Sequence, residues 1–197
     1  MTRLIVGITG ASGSIYGIRL LEILRTTTDI ELHVVISAAG RRTLVEETDY
    51  RVADVEALAH HRYDIKDIGA TLASGSFRTA GMVIAPCSIK TAGAIASCYS
   101  EGLIARAADV TLKEGRPLIL LVRETPLHVG HLRMLTALAE TGAVVLPPMP
   151  AFYNRPKGLD DVINHTVARV LDRLQLPQTL VGEWQGTSPR APRRAGG

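Results

Sequence analysis

The stretch LIVGITGASG at residues 4–13, which runs directly into SIYGIRLL at residues 14–21, decides the fold of this chain. The glycine-bounded aliphatic run predicts a buried parallel strand, and the apolar residues at positions 18, 21 and 24 lie on one face of a helix. Backbone N–H groups in the first turn of a helix have no internal partner and lie at the positive end of its dipole. A strand, a glycine turn and a helix start therefore predict a loop that binds a phosphate.

The glycine loop does not identify the nucleotide. Its glycines at positions 7, 10 and 13 follow G-x-x-G-x-x-G, which differs from the dinucleotide fingerprint G-x-G-x-x-G, and no G-K-[ST] follows to form a P-loop. A dinucleotide-binding fold would place an acidic residue at the end of the second strand, where this chain has Ser37. The structural alternative is a turn that uses glycine only for its backbone freedom.

Length and composition bound the architecture and the compartment. At 197 residues the chain suits one domain; we expect residues 1–181 to form it and residues 182–197 to be a C-terminal tail that is mobile at its end. An aromatic fraction of 4% and a net charge of +3 disfavour a nucleic-acid partner. The two cysteines lack C-x-x-C spacing, and the chain shows neither a signal-peptide pattern nor an apolar run of membrane-spanning length. These features predict a cytoplasmic protein that does not enter a membrane.

Strand-like aliphatic runs alternate with helical patterns along the chain. After the first strand and helix, strands are predicted at residues 31–37, 81–86, 117–122 and 143–146, and helices at residues 41–47, 54–59, 92–96, 103–113, 132–139 and 159–174. Residues 63–79 are predicted to be irregular. Such alternation implies parallel pairing through right-handed crossovers. The expected fold is α/β: an open, doubly wound, mainly parallel sheet of five to six strands with helices on both faces.

Small, hydroxylic and cationic residues gather at the predicted carboxyl ends of the strands. Ligands bind at this edge of an open α/β sheet, where the strand order reverses. The residues there are residues 10–12, Ser37, residues 88–91, residues 123–124 and Tyr153. Two hydroxyl-rich turns at helix starts and one arginine predict a phosphate pocket. The alternative is that each serine only caps a helix.

Glu124 is the residue hardest to explain structurally. It follows a purely aliphatic strand and stands beside Arg123, so it is either half of a simple ion pair or a general acid/base near a phosphate. Lys113, Arg106 and Arg169 leave a similar choice between phosphate ligands and solvated cations near helix ends.

The histidines and cysteines do not predict a metal site or a nucleophile. His128 and His131 have i, i+3 spacing and His60 and His61 are adjacent, but no acidic–histidine pattern completes a metal site. Cys87 has no histidine placed by the sequence to activate it, and buried cysteine is common as a small apolar residue. We therefore predict no metal.

Seven motifs occur in order along the chain: T-G-A-S-G at residues 9–13, E-T-D at 47–49, A-S-G-S at 73–76, P-C-S at 86–88, R-A-A-D-V-x-L-K-E at 106–114, R-E-x-P-L at 123–127 and F-Y-N-x-P at 152–156. Together they resemble the flavin prenyltransferases, the UbiX-type proteins, over residues 3 to about 184. The resemblance implies a Rossmann- or flavodoxin-like FMN-binding domain and an enzyme that joins the prenyl unit of dimethylallyl phosphate to N5 and C6 of reduced FMN. The product, prenylated FMN, is the cofactor of a partner decarboxylase. The family needs no metal for this reaction and forms dodecamers with sites at subunit contacts.

The resemblance also implies roles for individual residues. FMN would be held by Gly10, Ala11, Ser12, Ser37, Ser88, Ile89, Lys90, Thr91 and Arg123. The phosphate of the prenyl donor would be held by Lys113, Arg123, Tyr153 and Arg169. Glu124 would protonate the leaving phosphate and Glu47 would assist proton removal at ring closure, while Ser12 would place its hydroxyl near the flavin ring. With Lys113, these three residues are the catalytic set that the resemblance implies.

Several positions depart from the family pattern. Arg133 and Met134 stand where the family usually has Glu-Asn, and His128 replaces a small hydroxyl residue; we expect altered packing or subunit contacts with the chemistry intact. Some relatives have a tryptophan before the A-S-G-S loop, and this chain has Ile68 near that position. The loss of the tryptophan would change the wall of the prenyl pocket.

Two other functions stay open at this point. A flavin-dependent cysteine decarboxylase has the same architecture, but such proteins carry a P-x-M-N-x-x-M-W clamp that residues 148–154 do not spell. A non-catalytic flavin-binding subunit of a decarboxylase complex would bind FMN without alkylating it. The intact set of Glu47, Lys113, Glu124, Tyr153 and Arg169 argues against that loss of activity.

Overall fold

The aliphatic runs form strands and the segments between them form helices. The computed structural model describes residues 1–27 and 29–182, and its strands are β1 (Thr2–Ile8), β2 (Ile30–Ile36), β3 (His61–Tyr63), β4 (Gly81–Cys87), β5 (Leu118–Val122) and β6 (Val144–Val145). Its helices are α1 (Ser14–Arg25), α2 (Ala38–Glu47), α3 (Val52–Glu56), α4 (Ile89–Ala96), α5 (Leu103–Lys113), α6 (Val129–Glu140) and α7 (Leu159–Arg173). Short 3₁₀ turns lie at Thr71–Ala73 and Phe152–Asn154.

The strands form one parallel sheet in the order β3-β2-β1-β4-β5-β6. The chain moves outward from β1 to β3 on one side and then from β4 to β6 on the other. The reversal therefore lies between β1 and β4, and the crevice at their carboxyl ends is the place where such sheets bind ligands. The predicted open, doubly wound parallel sheet is confirmed with six strands.

Side-chain alternation along β1 divides the core into two layers. Leu4, Val6 and Ile8 pack with α1 and α7 on one face, whereas Ile5 packs with α4 and α5 on the other. Both faces of a parallel sheet must be covered by helices, which explains why its strands are apolar on both sides. The predicted placement of helices on both faces is confirmed.

The strand β3 is the main element that the sequence did not predict. Its three residues are polar and largely exposed, so they carry no hydrophobic periodicity, and they pair with His33–Val35 only because the chain returns to that edge. The helices α2, α4 and α6 each begin about three residues earlier than predicted because their capping residues precede the apolar pattern.

The C-terminal tail predicted for residues 182–197 lies outside the described residues, apart from residue 182. Among residues 1–27 and 29–182, no helix combines the length and the apolar character that crossing a membrane requires.

Candidate functional site

Thr9 joins the carboxyl ends of β1 and β4, the two strands that flank the reversal. Its side chain is buried; its backbone N–H and its hydroxyl both donate to the Pro86 carbonyl oxygen, at 3.1 and 2.8 Å, and its Oγ1 accepts from the Ser88 N–H at 2.8 Å. A buried hydroxyl whose donor and acceptor are both satisfied holds its neighbours in one geometry. Thr9 therefore sets the position of the glycine loop relative to the turn at Ser88, a role that the sequence did not predict.

Gly10 allows the glycine loop to pack against the start of α2. A Cβ atom on Gly10 would lie 2.4 Å from the Cβ atom of Ala39, so no larger residue fits without moving α2. This close approach brings the loop beside Ser37, the residue that precedes α2.

Ser37 and Ser88 are helix N-caps. The Ser37 hydroxyl oxygen accepts from the Gly40 N–H at 3.0 Å, and the Ser88 hydroxyl oxygen accepts from the Thr91 N–H at 3.3 Å and donates to Thr91 Oγ1 at 3.1 Å. The capping alternative is therefore confirmed for these two serines. Each of them nevertheless lies at the ligand-binding edge of the sheet, because parallel strands place the following helix starts there.

The Glu47 carboxylate, at the end of α2, lies at the N-terminus of α1. Its Oε2 accepts from the backbone N–H of Gly13 at 2.8 Å and of Ser14 at 3.2 Å. Burial raises the pKa of Glu47, but hydrogen bonds from the Ser12 hydroxyl and from the two N–H groups, with the charge of Arg123, lower it overall below its ordinary value. The protein's own carboxylate thus accepts from the first-turn N–H groups of α1, where the sequence predicted a ligand phosphate.

Ser12 does not cap a helix. The N-cap of α1 is Gly13, whose φ of 106° is the left-handed conformation that glycine adopts without strain. The Ser12 hydroxyl instead interacts with Glu47. The capping alternative is therefore wrong for Ser12.

Arg123 and Glu47 line the same cleft of about 470 Å³, with Ser12, Gly13, Ile15, Tyr16, Thr48, Pro148, Leu159 and Ile163. The backbone N–H of Arg123 donates to the Cys87 carbonyl oxygen at 3.1 Å, which fixes the end of β5 against β4. Glu124 is half-buried, and its Oε1 accepts from the Thr125 N–H at 3.0 Å. Within the described residues, Glu124 forms no ion pair with Arg123, so the simple ion-pair explanation of Glu124 is not supported.

Cys87 is a buried structural residue. Its side chain is fully inaccessible, and burial raises the pKa of its thiol to about 12. The thiol therefore stays protonated at neutral pH, in agreement with the apolar interpretation of this cysteine.

Tyr153 and Arg169 lie together in a second hollow of about 680 Å³, formed by Tyr153 and Asn154 before α7, by α7 itself and by the segment 176–182 after it. The Tyr153 hydroxyl is hydrogen-bonded to His165 Nε2 at 3.2 Å, and Arg169 donates to Asp172 at 3.0 Å. Burial, and then the nearby charge of Arg169, lower the pKa of His165, which favours its neutral form. The structure thus brings together two of the predicted phosphate ligands.

Lys113 lies at the other edge of the sheet. Lys113 is the last residue of α5, which connects β4 to β5. A helix that connects two parallel strands runs antiparallel to them, so the C-terminus of α5 lies near the amino ends of the strands. Its Nζ donates to Glu114 at 2.9 Å, beside Gly75 in the A-S-G-S loop. Arg123 follows the carboxyl end of β5, so a single chain does not bring Lys113 and Arg123 into one site.

The residues at the reversal fit the phosphate of a flavin nucleotide. The first-turn N–H groups of Ile89 and Lys90 have no acceptor within α4, whereas the start of α1 already holds Glu47. Arg123 adds a fixed cation and Gly10 a close backbone approach. Among the described residues, the starts of α2 and α4 thus offer first-turn N–H groups to an anion at this edge.

Comparisons with known proteins identify the family of the chain. The sequence model of the Flavoprotein family matches residues 1–173. The chain is 61% identical over 188 residues to the flavin prenyltransferase UbiX of Escherichia coli K12, covering 94% of this chain and 100% of the relative.

Two solved structures share the whole fold. One is a dodecameric FMN-dependent UbiX-like decarboxylase from Escherichia coli O157:H7 (TM-score 0.92, 48% identity, covering 94% of this chain and 100% of that chain). The other is AnUbiX (PadA1) in complex with FMN and dimethylallyl pyrophosphate (TM-score 0.92, 43% identity, covering 95% and 99%). This chain therefore belongs to the Flavoprotein family and, within it, to the flavin prenyltransferases of the UbiX type.

Proposed function

We propose that this chain is a flavin prenyltransferase that joins the dimethylallyl group of dimethylallyl phosphate to N5 and C6 of reduced FMN. The observation that carries the proposal is 61% identity along nearly the whole chain to a flavin prenyltransferase, with Ser12, Glu47 and Arg123 in one cleft at the strand reversal. A related structure in complex with FMN and dimethylallyl pyrophosphate supports FMN and a phosphorylated dimethylallyl donor as ligands. The proposed product is prenylated FMN, and its recipient is a separate decarboxylase.

The flavin nucleotide would lie across the ends of β1 and β4. Its phosphate would bind at the starts of α2 and α4, held by Ser37, residues 88–91 and Arg123, and its ring system would lie against residues 10–12. The reduced flavin supplies the nucleophilic nitrogen and the ring carbon that receive the prenyl group.

The charged residues supply the rest of the chemistry. The allylic C–O bond breaks as the new N–C bond forms, and the released phosphate must be stabilised as a dianion by fixed cations. Arg123, Arg169 and Lys113 would provide that charge, Tyr153 a hydrogen bond, and Glu124 a proton for the leaving phosphate. Glu47 has a lowered pKa and is ionised, so its carboxylate can accept the proton that leaves when the second new bond, a C–C bond to flavin C6, closes the ring.

We infer that Lys113 reaches the site from another subunit. Lys113 lies near the amino ends of the strands and Arg123 at their carboxyl ends. A phosphate bound by both residues must therefore lie between two copies of the chain. A related structure is dodecameric, which supports this arrangement.

The direct test combines the purified full chain, FMN reduced under anaerobic conditions, and dimethylallyl phosphate. We expect a flavin heavier by one C5H8 unit, detected by mass spectrometry, and no such product with heat-inactivated protein. A parallel reaction with dimethylallyl diphosphate shows which donor is accepted. Bound flavin of unchanged mass with both donors would contradict the proposal and favour a non-catalytic flavin-binding subunit.

A further inference from the structure

Two neighbouring strands place three metal-binding side chains on one face of the sheet, at its β3 edge. Glu31 and His33 lie two residues apart on β2, so their side chains point to the same face. His61 on β3 is the register partner of His33, so the two imidazoles lie side by side. The cluster contains a carboxylate and two imidazoles from residues that are far apart in sequence.

The ligand atoms of the cluster converge. His61 Nε2 lies 2.8 Å from Glu31 Oε1, and His33 Nε2 lies 3.4 Å from the same oxygen. One ligand atom from each residue lies within 4.8 Å of the others. Two ligands of a tetrahedral zinc ion, each about 2.0–2.2 Å from the metal, are roughly 3.3 Å apart, so modest side-chain rotations suffice to reach this geometry.

His33 Nε2 is a buried polar atom without a hydrogen-bond partner among the described residues. The His33 side chain is only 2% exposed, so water does not compensate for the missing partner. Its other ring nitrogen, Nδ1, is hydrogen-bonded to the Tyr63 hydroxyl at 3.0 Å, and that hydroxyl is hydrogen-bonded to Thr71 Oγ1 at 3.2 Å. When His33 Nδ1–H donates to the Tyr63 hydroxyl, Nε2 is unprotonated and its lone pair points toward Glu31. Histidine metal ligands adopt this tautomer when an outer-shell group accepts from the other ring nitrogen.

The surroundings leave the cluster open to an ion. The other carboxylate oxygen of Glu31 accepts from Arg3 Nε at 3.2 Å, and the Arg3 guanidinium lies 4.5 Å from the Phe77 ring centroid. Arg3 thus orients the carboxylate while Oε1 faces the two histidines. The His61 side chain is 51% exposed, which provides an entry path from solvent.

We propose that Glu31, His33 and His61 bind one divalent transition-metal ion, with water in the fourth position. Two imidazoles and one carboxylate are a ligand set that suits zinc. The bound ion would join β3, an edge strand of three residues, to β2 and thereby hold the segment that follows it, through Tyr63 and Thr71. The site is separate from the cleft proposed for prenyl transfer.

Zinc binding by the metal-free full chain, without a polyhistidine tag, tests the proposal. We expect one Zn²⁺ per chain after dialysis, measured by elemental analysis, and a rise in thermal unfolding temperature when Zn²⁺ is added. His61→Gln and Glu31→Gln each remove one ligand and should weaken Zn²⁺ binding by at least about tenfold. Co²⁺ added in place of Zn²⁺ should give the intense visible absorption of a tetrahedral site.

His60→Asn is the matched control. His60 is the adjacent histidine, and its Nδ1 accepts from the Leu32 N–H at 2.9 Å, a role that the asparagine carbonyl oxygen can fill. This variant should bind Zn²⁺ as the wild type does. The proposal is overturned if the wild type retains no Zn²⁺, if the two ligand variants bind as tightly as the wild type, or if Co²⁺ gives only the weak absorption of an octahedral surface ion.

Discussion

Glu47 connects the two helices that begin beside the proposed flavin site. It is the last residue of α2, and its carboxylate accepts from two N–H groups at the start of α1. A negative charge is favourable at this positive end of the helix dipole. The same side chain thereby anchors the glycine loop and stays ionised, as a proton acceptor must be.

Replacing Glu47 with glutamine should destabilise the fold in a pH-dependent way. The folded pKa of Glu47 is lower than the unfolded one, so its contribution is complete above the unfolded pKa and is lost as pH falls through the folded pKa. We expect Glu47→Gln to lower the free energy of unfolding by about 1 kcal/mol at pH 7, and the difference from wild type to shrink at acidic pH. Urea unfolding at pH 7 and below pH 4.5 measures both effects.

Glu46→Gln is the control for this prediction. Glu46 is the preceding residue and forms an exposed pair with Arg42 on the same helix, so its loss should cost at most about 0.5 kcal/mol. Equal losses in the two variants would show that the contact with α1 contributes nothing specific.

Replacing Glu124 with glutamine should separate binding from chemistry. Glutamine keeps the size and the acceptor oxygen that faces the Thr125 N–H but cannot donate an acidic proton to phosphate. We expect Glu124→Gln to bind FMN normally and to transfer the prenyl group at least about tenfold more slowly. Single-turnover kinetics with FMN-loaded protein give the rate, and Glu140→Gln, at the exposed end of α6, should match wild type. A wild-type rate in Glu124→Gln would return Glu124 to a structural role.

At the level of elements, His128 explains one departure from the family pattern. It is the N-cap of α6, and its Nδ1 accepts from the Gly130 and His131 N–H groups at 3.0 and 3.4 Å. An imidazole acceptor thus does what a small hydroxyl residue would do at this position. Arg133 is exposed and Met134 packs against the second core layer, so neither departure reaches the cleft of Ser12 and Arg123.

The junction of β1 and β4 depends on one hydroxyl. Thr9→Val keeps the shape of the side chain but leaves the half-buried Ser88 N–H without its acceptor. We expect a loss of about 1–3 kcal/mol in unfolding free energy and weaker FMN binding, because the turn at Ser88 loses its fixed position. Calorimetry and flavin titration measure the two effects. Thr9→Ser keeps the hydroxyl and should retain FMN affinity; equal affinity in Thr9→Val would show that the junction does not position the site.

At the level of the whole molecule, the positive charges proposed to bind the phosphate lie at opposite ends of the strands. Lys113 ends α5, while Arg123 follows β5, a strand that alone spans roughly 15 Å. Leu159, which lines the cleft with Arg123, is exposed, and so are Phe152 and Val129. Such exposure is typical of surfaces that contact other subunits.

Mixed oligomers test this division. Lys113→Ala and Glu124→Gln should each reduce prenyl transfer at least about tenfold when assembled alone. If each site combines Lys113 of one copy with Glu124 of another, co-assembly of the two variants should restore about a quarter of wild-type activity. Separately assembled variants that are mixed afterwards provide the control. Absence of recovery in the co-assembled protein would place both residues of a site in one chain.

The sequence by itself determined the features that depend on neighbours a few residues away. Aliphatic runs and helical periodicity predicted every strand except β3, and the hydroxyl residues before α2 and α4 predicted the capped turns at the ligand-binding edge. These features follow from local backbone preferences and side-chain periodicity. The family motifs added the expected ligands and roles.

Only the tertiary structure decided which distant groups meet. It placed the Glu47 carboxylate on α1, where local rules predicted a phosphate, and it separated Lys113 from Arg123. It also paired β3 with β2, which brought His61 beside His33 although the two show no acidic–histidine pattern in sequence. Strand register and the contents of a helix terminus depend on packing between segments far apart in the chain, and no local pattern records that packing.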